Sequence, residues 1–143
     1  MSHAVPTIAA MGTPSSVGAT AEAAVAAALV AAGRRVFLPV FGSDGRVDLV
    51  YEDERGLHRV QCKTARRGGD AIYFRTCSNT RNVPRSYEGE VDEFGVYSPH
   101  SGDVFVVPAS GLPQRMAHLR LAPTRNGQAK GVRWASDYRL DSC

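Results

Sequence analysis

Cysteine is scarce in this 143-residue chain: Cys62, Cys77 and Cys143 are an odd number without metal-ligand spacing. That excludes a disulfide framework and a thiolate zinc site, and it predicts a reducing, cytoplasmic location. Long apolar runs are missing as well. The longest, Ala23 to Ala32, has ten residues, whereas a bilayer-spanning helix needs about 20. No Lys/Arg cluster precedes an apolar stretch at the N-terminus, so no secretory signal is expected and no membrane partner. Lysine is nearly absent. Of 17 Lys+Arg, only Lys63 and Lys130 are lysines. Where Arg serves as the general-purpose cation, a retained lysine marks a place that wants a compact, titratable ammonium. His3, His58, His100 and His118 pair with no Ser or Cys nucleophile, and Gly42-Ser43-Asp44-Gly45 lacks the Lys and following helix of a phosphate-binding loop.

What is present is ordinary for a globular chain: 43% hydrophobic and 22% charged residues, with a net charge of +3. The length fits one domain. Residues 1–14 mix Ala, Pro, Gly and Ser without periodicity and read as a flexible tail, leaving residues 15–143 as the domain. Ser15 to Ala32 predicts a helix with Ser15 or Ser16 as N-cap and Gly33 as C-cap. Val25, Leu29 and Ala32 share one face, and Glu22 borders it. Strands are expected at Val36–Val40, Val47–Tyr51, Leu57–Thr64, Ala71–Cys77, Glu93–Tyr97 and Val104–Val107. Turn residues separate the first three, and Pro99 and Gly102 turn the chain between the last two. Val132 to Tyr138 reads as a short helix. The order implies an α+β (α/β) domain.

The informative stretch is Asp48-Leu49-Val50 followed by Gln61-Cys62-Lys63. A turn centred on Glu54-Arg55 places Asp48 directly across from Gln61 on antiparallel strands. Paired side chains point to one face, and Lys63, two residues on, shares it. Cys62 turns into the core. Asp48, the Gln61 side-chain carbonyl and the Cys62 backbone carbonyl would supply hard oxygen ligands for Mg²⁺, with Mn²⁺ as a substitute. Lys63 would orient a metal-bound water or help it lose a proton. Glu22 adds an acidic contact if the first helix packs across this sheet.

The order of these residues resembles the PD-(D/E)xK nuclease superfamily, in which a helix carries a glutamate, one strand an aspartate and the next strand (D/E)xK. Here the matching positions are Glu22, Asp48 and Gln61-Cys62-Lys63, with Gln in place of the usual acid. That QxK variant is closest to the group I intron homing endonuclease branch, and the block Tyr87-Glu88-Gly89-Glu90-Val91-Asp92-Glu93-Phe94 extends the similarity. The resemblance implies a restriction-endonuclease-like αβββ core, a mixed central sheet flanked by helices. It also implies a Mg²⁺-dependent endonuclease that cuts double-stranded DNA as a homo-oligomer, dimer or tetramer. Two alternatives stand beside it: a Holliday-junction-type resolvase, and a catalytically inactive DNA-binding module of the same fold.

Charge distribution points to the same partner. Arg59, Lys63, Arg66, Arg67, Arg75, Arg81 and Arg85 face a single acid, Asp70, over residues 59–85. A basic segment beside the site is the footprint of phosphate contacts, and Arg66, Arg67, Arg75, Arg81 and Arg85 are its candidate nucleic-acid ligands. Arg66-Arg67-Gly68-Gly69 reads as a flexible loop. The competing reading is that the acidic run Glu88, Glu90, Asp92 and Glu93 neutralises this segment.

Overall fold

The structure, a computed structural model, describes residues 14–42, 45–80, 83–123, 126–127 and 130–141, without the side chains of 14–15, 79–80 and 83–85. The expected tail therefore lies outside the described residues, save Pro14, which opens a helix.

Helix α1 (Pro14–Ala31) forms because alanine dominates its sequence. Ser15 and Ser16 lie inside it rather than capping it, and the Ser16 carbonyl accepts the Thr20 hydroxyl at 2.8 Å. Its C-terminus follows the sequence reading. Gly33 adopts φ 82°, its N–H donates to Val30 O and the Arg34 N–H to Leu29 O, the Schellman pattern that only a left-handed residue permits. Ala21, Val25, Leu29 and Ala32 are buried along one face.

Five strands make the central sheet: β1 (Arg35–Phe37), β2 (Leu49–Asp53), β3 (Gly56–Thr64), then, past four other strands, β8 (Glu93–Tyr97) and β9 (Val104–Pro108). Their order is β1-β2-β3-β8-β9, with β3 and β8 parallel and the other pairs antiparallel. The first expected strand stops short, at Phe37. Pro39 has no N–H to continue a ladder, and Leu38, Val40 and Phe41 are exposed.

A second sheet, β10-β5-β4, is built from β4 (Arg66–Gly68), β5 (Ala71–Arg75) and β10 (Met116–Arg120). Two sequence expectations change here. Arg66 to Gly68 is a strand, not a flexible loop, because it pairs with β5. The strand expected at Ala71–Cys77 ends at Arg75, and Cys77 instead opens the ribbon of β6 (Cys77–Thr80) and β7 (Val83–Ser86). The expected helix at Val132–Tyr138 contracts to a 3-10 turn, Ala135–Asp137.

The layers follow from two cores. Val25 and Leu29 pack on Leu49, Tyr51, Val60, Cys62 and Val104 between α1 and the central sheet. Phe94, Val96, Phe105 and Val107 on the other face meet Ile72, Phe74, Ala117 and Leu119 of the second sheet. The mixed central sheet is thus flanked by one long helix and, on its other face, by the second sheet. Gly95 sets how closely α1 approaches: a Cβ at this position would lie 2.6 Å from Val25 Cγ1 and 3.1 Å from Val60 Cγ1. Among the described residues no helix is long and apolar enough to cross a membrane.

Candidate active site

The β2–β3 hairpin keeps the expected register from Asp53↔Gly56 to Leu49↔Val60. At Asp48 it changes. The Asp48 N–H donates to Val60 O at 2.8 Å, so Asp48 and Leu49 together oppose Val60, the two-against-one arrangement of a β-bulge. The bulge re-aims the carboxylate. Asp48 Oδ2 accepts the Cys62 N–H at 2.8 Å, replacing the ladder partner that this N–H would otherwise have. Asp48 is therefore not paired flat against Gln61 on one face, as the undistorted register predicts. Its carboxyl instead lies where Glu22 of the helix and Lys63 of β3 both act on it.

There it meets Glu22. The helix lies across β3 and β8 on the Gly95 notch, and one turn before Val25 it carries Glu22 on its exposed edge. The Glu22 carboxyl is close enough to Asp48 to act on it through charge and a side-chain hydrogen bond. Burial raises the Asp48 carboxyl to about 6; the Cys62 N–H opposes the shift, Glu22 adds to it and Lys63 lowers it. The Cys62 thiol, buried at the same place, is pushed up by burial and by the charges of Asp48 and Glu22, so it is an inert core group.

Gln61 and Lys63 alternate with Val60 and Cys62 and keep the opposite face. The Gln61 Nε2 makes a long, 3.4 Å contact to Cys62 O, while its Oε1 is buried with no hydrogen-bond partner. Lys63 Nζ donates to Tyr87 Oη at 3.0 Å and stands 4.6 Å from the centre of that ring. The other cation on the ring is Arg46, 3.7 Å from its centre. Arg46 is itself anchored by Glu90, Ser78 Oγ and Ser86 O. Buried Tyr87 is thus clasped between two cations and fixes the position of the lysine. Sequence reasoning singled out neither Arg46 nor Tyr87 for this role. The signals available were the place of Arg46 two residues before Asp48 and the tyrosine that opens the 87–94 block.

Among the described residues no group of three or more His, Cys, Asp or Glu gathers as a metal site. The donor set here is mixed: two interacting carboxyls, an orphaned amide oxygen and a backbone carbonyl. All are hard oxygens with unmet lone pairs or excess negative charge, and this fits a hard divalent cation.

A family model described as PD-(D/E)XK endonuclease matches residues 13–141. The chain belongs to this family. A solved structure, that of the bacterial homing endonuclease I-Ssp6803I, superimposes with a TM-score of 0.65 over 91% of this chain and 88% of that one, at 21% identity. At that identity the likeness is one of fold. No curated protein is significantly similar in sequence. Along the chain Glu22 lies on α1, Asp48 immediately before β2, and Gln61 and Lys63 on β3.

The basic segment divides. Arg66 and Arg75 line a cleft of about 320 Å³ with Lys63, Val17, Tyr73 and Met116. Arg67 alternates to the other face, where its Nε donates to Gly69 O. Arg59 is engaged by Asp92 through backbone and guanidinium. Arg81 and the Arg85 side chain lie outside the described residues. Of the acidic run, Asp92 neutralises Arg59 of this segment, whereas Glu90 pairs with Arg46 and Glu93 accepts the Tyr51 hydroxyl.

Proposed function

We propose that this PD-(D/E)XK endonuclease is a Mg²⁺-dependent enzyme that hydrolyses phosphodiester bonds of double-stranded DNA, with Mn²⁺ as a working substitute. The observation that carries the reading is that Glu22 and Lys63 both act on the half-buried Asp48 carboxyl, while Gln61 on the same strand as Lys63 keeps an orphaned side-chain oxygen. Glu22, Asp48, Gln61 Oε1 and the Cys62 carbonyl would hold the ion. A divalent cation bound there supplies charge to the scissile phosphate and acidity to a water. Lys63 orients the attacking water and offsets phosphate charge, and Tyr87 holds Lys63 in place. Arg66 and Arg75 take the phosphates that flank the cut, along the cleft that opens beside Lys63. Each chain offers one such site and a duplex has two strands, so double-strand cutting calls for a homodimer or homotetramer. The free cysteines Cys62 and Cys77 accord with work in a reducing cytoplasm.

Plasmid nicking tests the reading. Wild type should cut with Mg²⁺ and not in EDTA, and Lys63→Ala should cut at least about 100-fold more slowly. Tyr87→Phe, which keeps the ring under Arg46, should slow cutting about tenfold with unchanged DNA affinity. Band-shift binding without cutting under any divalent ion would identify a DNA-binding module instead. Preference for a four-way junction over linear duplex would identify a resolvase.

A further inference from the structure

We infer that the outer face of the β10-β5-β4 sheet reads base edges in duplex DNA, with Tyr73 and His118 as the specificity-determining pair. This rests on the DNA endonuclease reading and goes beyond it by assigning the sequence-reading surface.

Alternation along the strands separates the two faces. Ile72, Phe74, Ala117 and Leu119 are buried against the central sheet, so Tyr73 and Arg75 on β5, and Met116 and His118 on β10, point away from it. Pairing aligns three of the outward residues in one row across the strands: Arg66↔Tyr73 and Tyr73↔His118. The Tyr73 and His118 rings lie 5.6 Å apart at 33°, and His118 is exposed. Among the described residues neither ring donates or accepts a hydrogen bond within the protein, and Arg66 has no ion-pair partner. A phenol hydroxyl and an imidazole are both donor and acceptor, the groups that discriminate base edges. Their hydrogen-bonding capacity is unspent.

Charge and shape select the occupant. These three strands contain no acid, while Arg66, Arg75 and Arg120 are basic. Strands about 4.8 Å apart make a sheet about 10 Å across, which enters a major groove about 12 Å wide. The face continues into the cleft that holds Lys63, since Arg66 and Tyr73 line both. Arg66 follows Lys63 by three residues, a reach of about 10 Å, and about three base steps at 3.4 Å each span the same length. The bases read by Tyr73 and His118 therefore lie within a few pairs of the cut.

Binding selection separates this inference from the nuclease reading, because it needs no cleavage. Full-length protein in EDTA is used to select from a randomised duplex pool, and the enriched sequences are read. Wild type should enrich a motif. His118→Ala and, separately, Tyr73→Phe should relax one or two adjacent positions of it, with about 10-fold to 100-fold lower affinity for the wild-type sequence. Affinity for random duplex and its salt dependence should stay unchanged, and melting temperature reports that each exposed-face variant is folded. A wild type that enriches no motif, or variants that enrich the same one, overturns the inference even if plasmid cutting is intact. A change in oligomeric mass in His118→Ala with the motif retained overturns it too and makes the face a contact between copies.

Discussion

Asp48 answers to two opposing demands. The fold gains from its Oδ2, which satisfies the Cys62 N–H, and loses from its charge, which is half-buried beside Glu22. Its carboxyl titrates near an ordinary 3.8 when unfolded and at about 6 in the fold, so between those values the folded chain binds the extra proton. Stability contributed by this group is present below the unfolded value and is lost as pH rises through the folded one. Asp48→Asn keeps an oxygen to accept the Cys62 N–H and removes the charge. In EDTA it should melt several degrees above wild type at about pH 8 and level with it at about pH 4, while losing metal-dependent cutting altogether. Melting curves at the two pH values check this, and an equal difference at both would show that Asp48 is not held against its own charge. A site built to accept a cation, as proposed above, would carry this cost when the cation is away.

At the scale of elements, the hairpin and the helix were legible because their signals are local. The Glu54-Arg55 turn fixes the register, and the Gly33 cap with its Val25–Leu29 stripe fixes the helix. The bulge at Asp48 was not legible, since it depends on where the Cys62 N–H finds an acceptor. Nor was β4, whose exposed Arg66-Arg67-Gly68 becomes a strand only because β5 is there to pair with it. The covering of the second face by a sheet depends on β10 meeting β5 across more than forty residues of chain. Between these cases stands Gly95, an unremarkable glycine in a sequence that has many. In the fold it admits Val25 to the middle of the β3–β8 pair, opposite Cys62, and so holds Glu22 within reach of Asp48. Gly95→Ala should cost about 1–3 kcal/mol by overpacking and should slow cutting by lifting the helix. Adding Val25→Ala opens room for the new methyl, so the double variant should be more stable than the sum of the two single losses. Thermal unfolding of the four proteins measures the coupling; simple additivity would mean that the helix is not seated on this notch.

Across the whole molecule, the small net charge of +3 conceals a separation of charge. Acids of the 88–93 run spend themselves on Arg46, Arg59 and the Tyr51 hydroxyl, and so leave the cleft beside Lys63 without an acidic lining residue. A count along the sequence treats Arg66 and Arg67 as equals in one basic cluster. The strand they share sends them to opposite faces: Arg66 to the cleft, and Arg67 to a second hollow bordered by His100 and Asp103. Phosphate contacts release counterions, so each arginine that touches the duplex backbone contributes about one unit to the slope of log affinity against log salt. Arg66→Ala should therefore weaken binding to every duplex sequence and flatten that slope by about one unit. Arg67→Ala should leave both where they are. Titrations of a fluorescent duplex in EDTA at several salt concentrations make the comparison with chemistry switched off. Equal losses from the two variants would mean that DNA wraps the edge of the second sheet instead of lying along its outer face, and the path from Lys63 through Arg66 to Tyr73 would have to be redrawn around that edge.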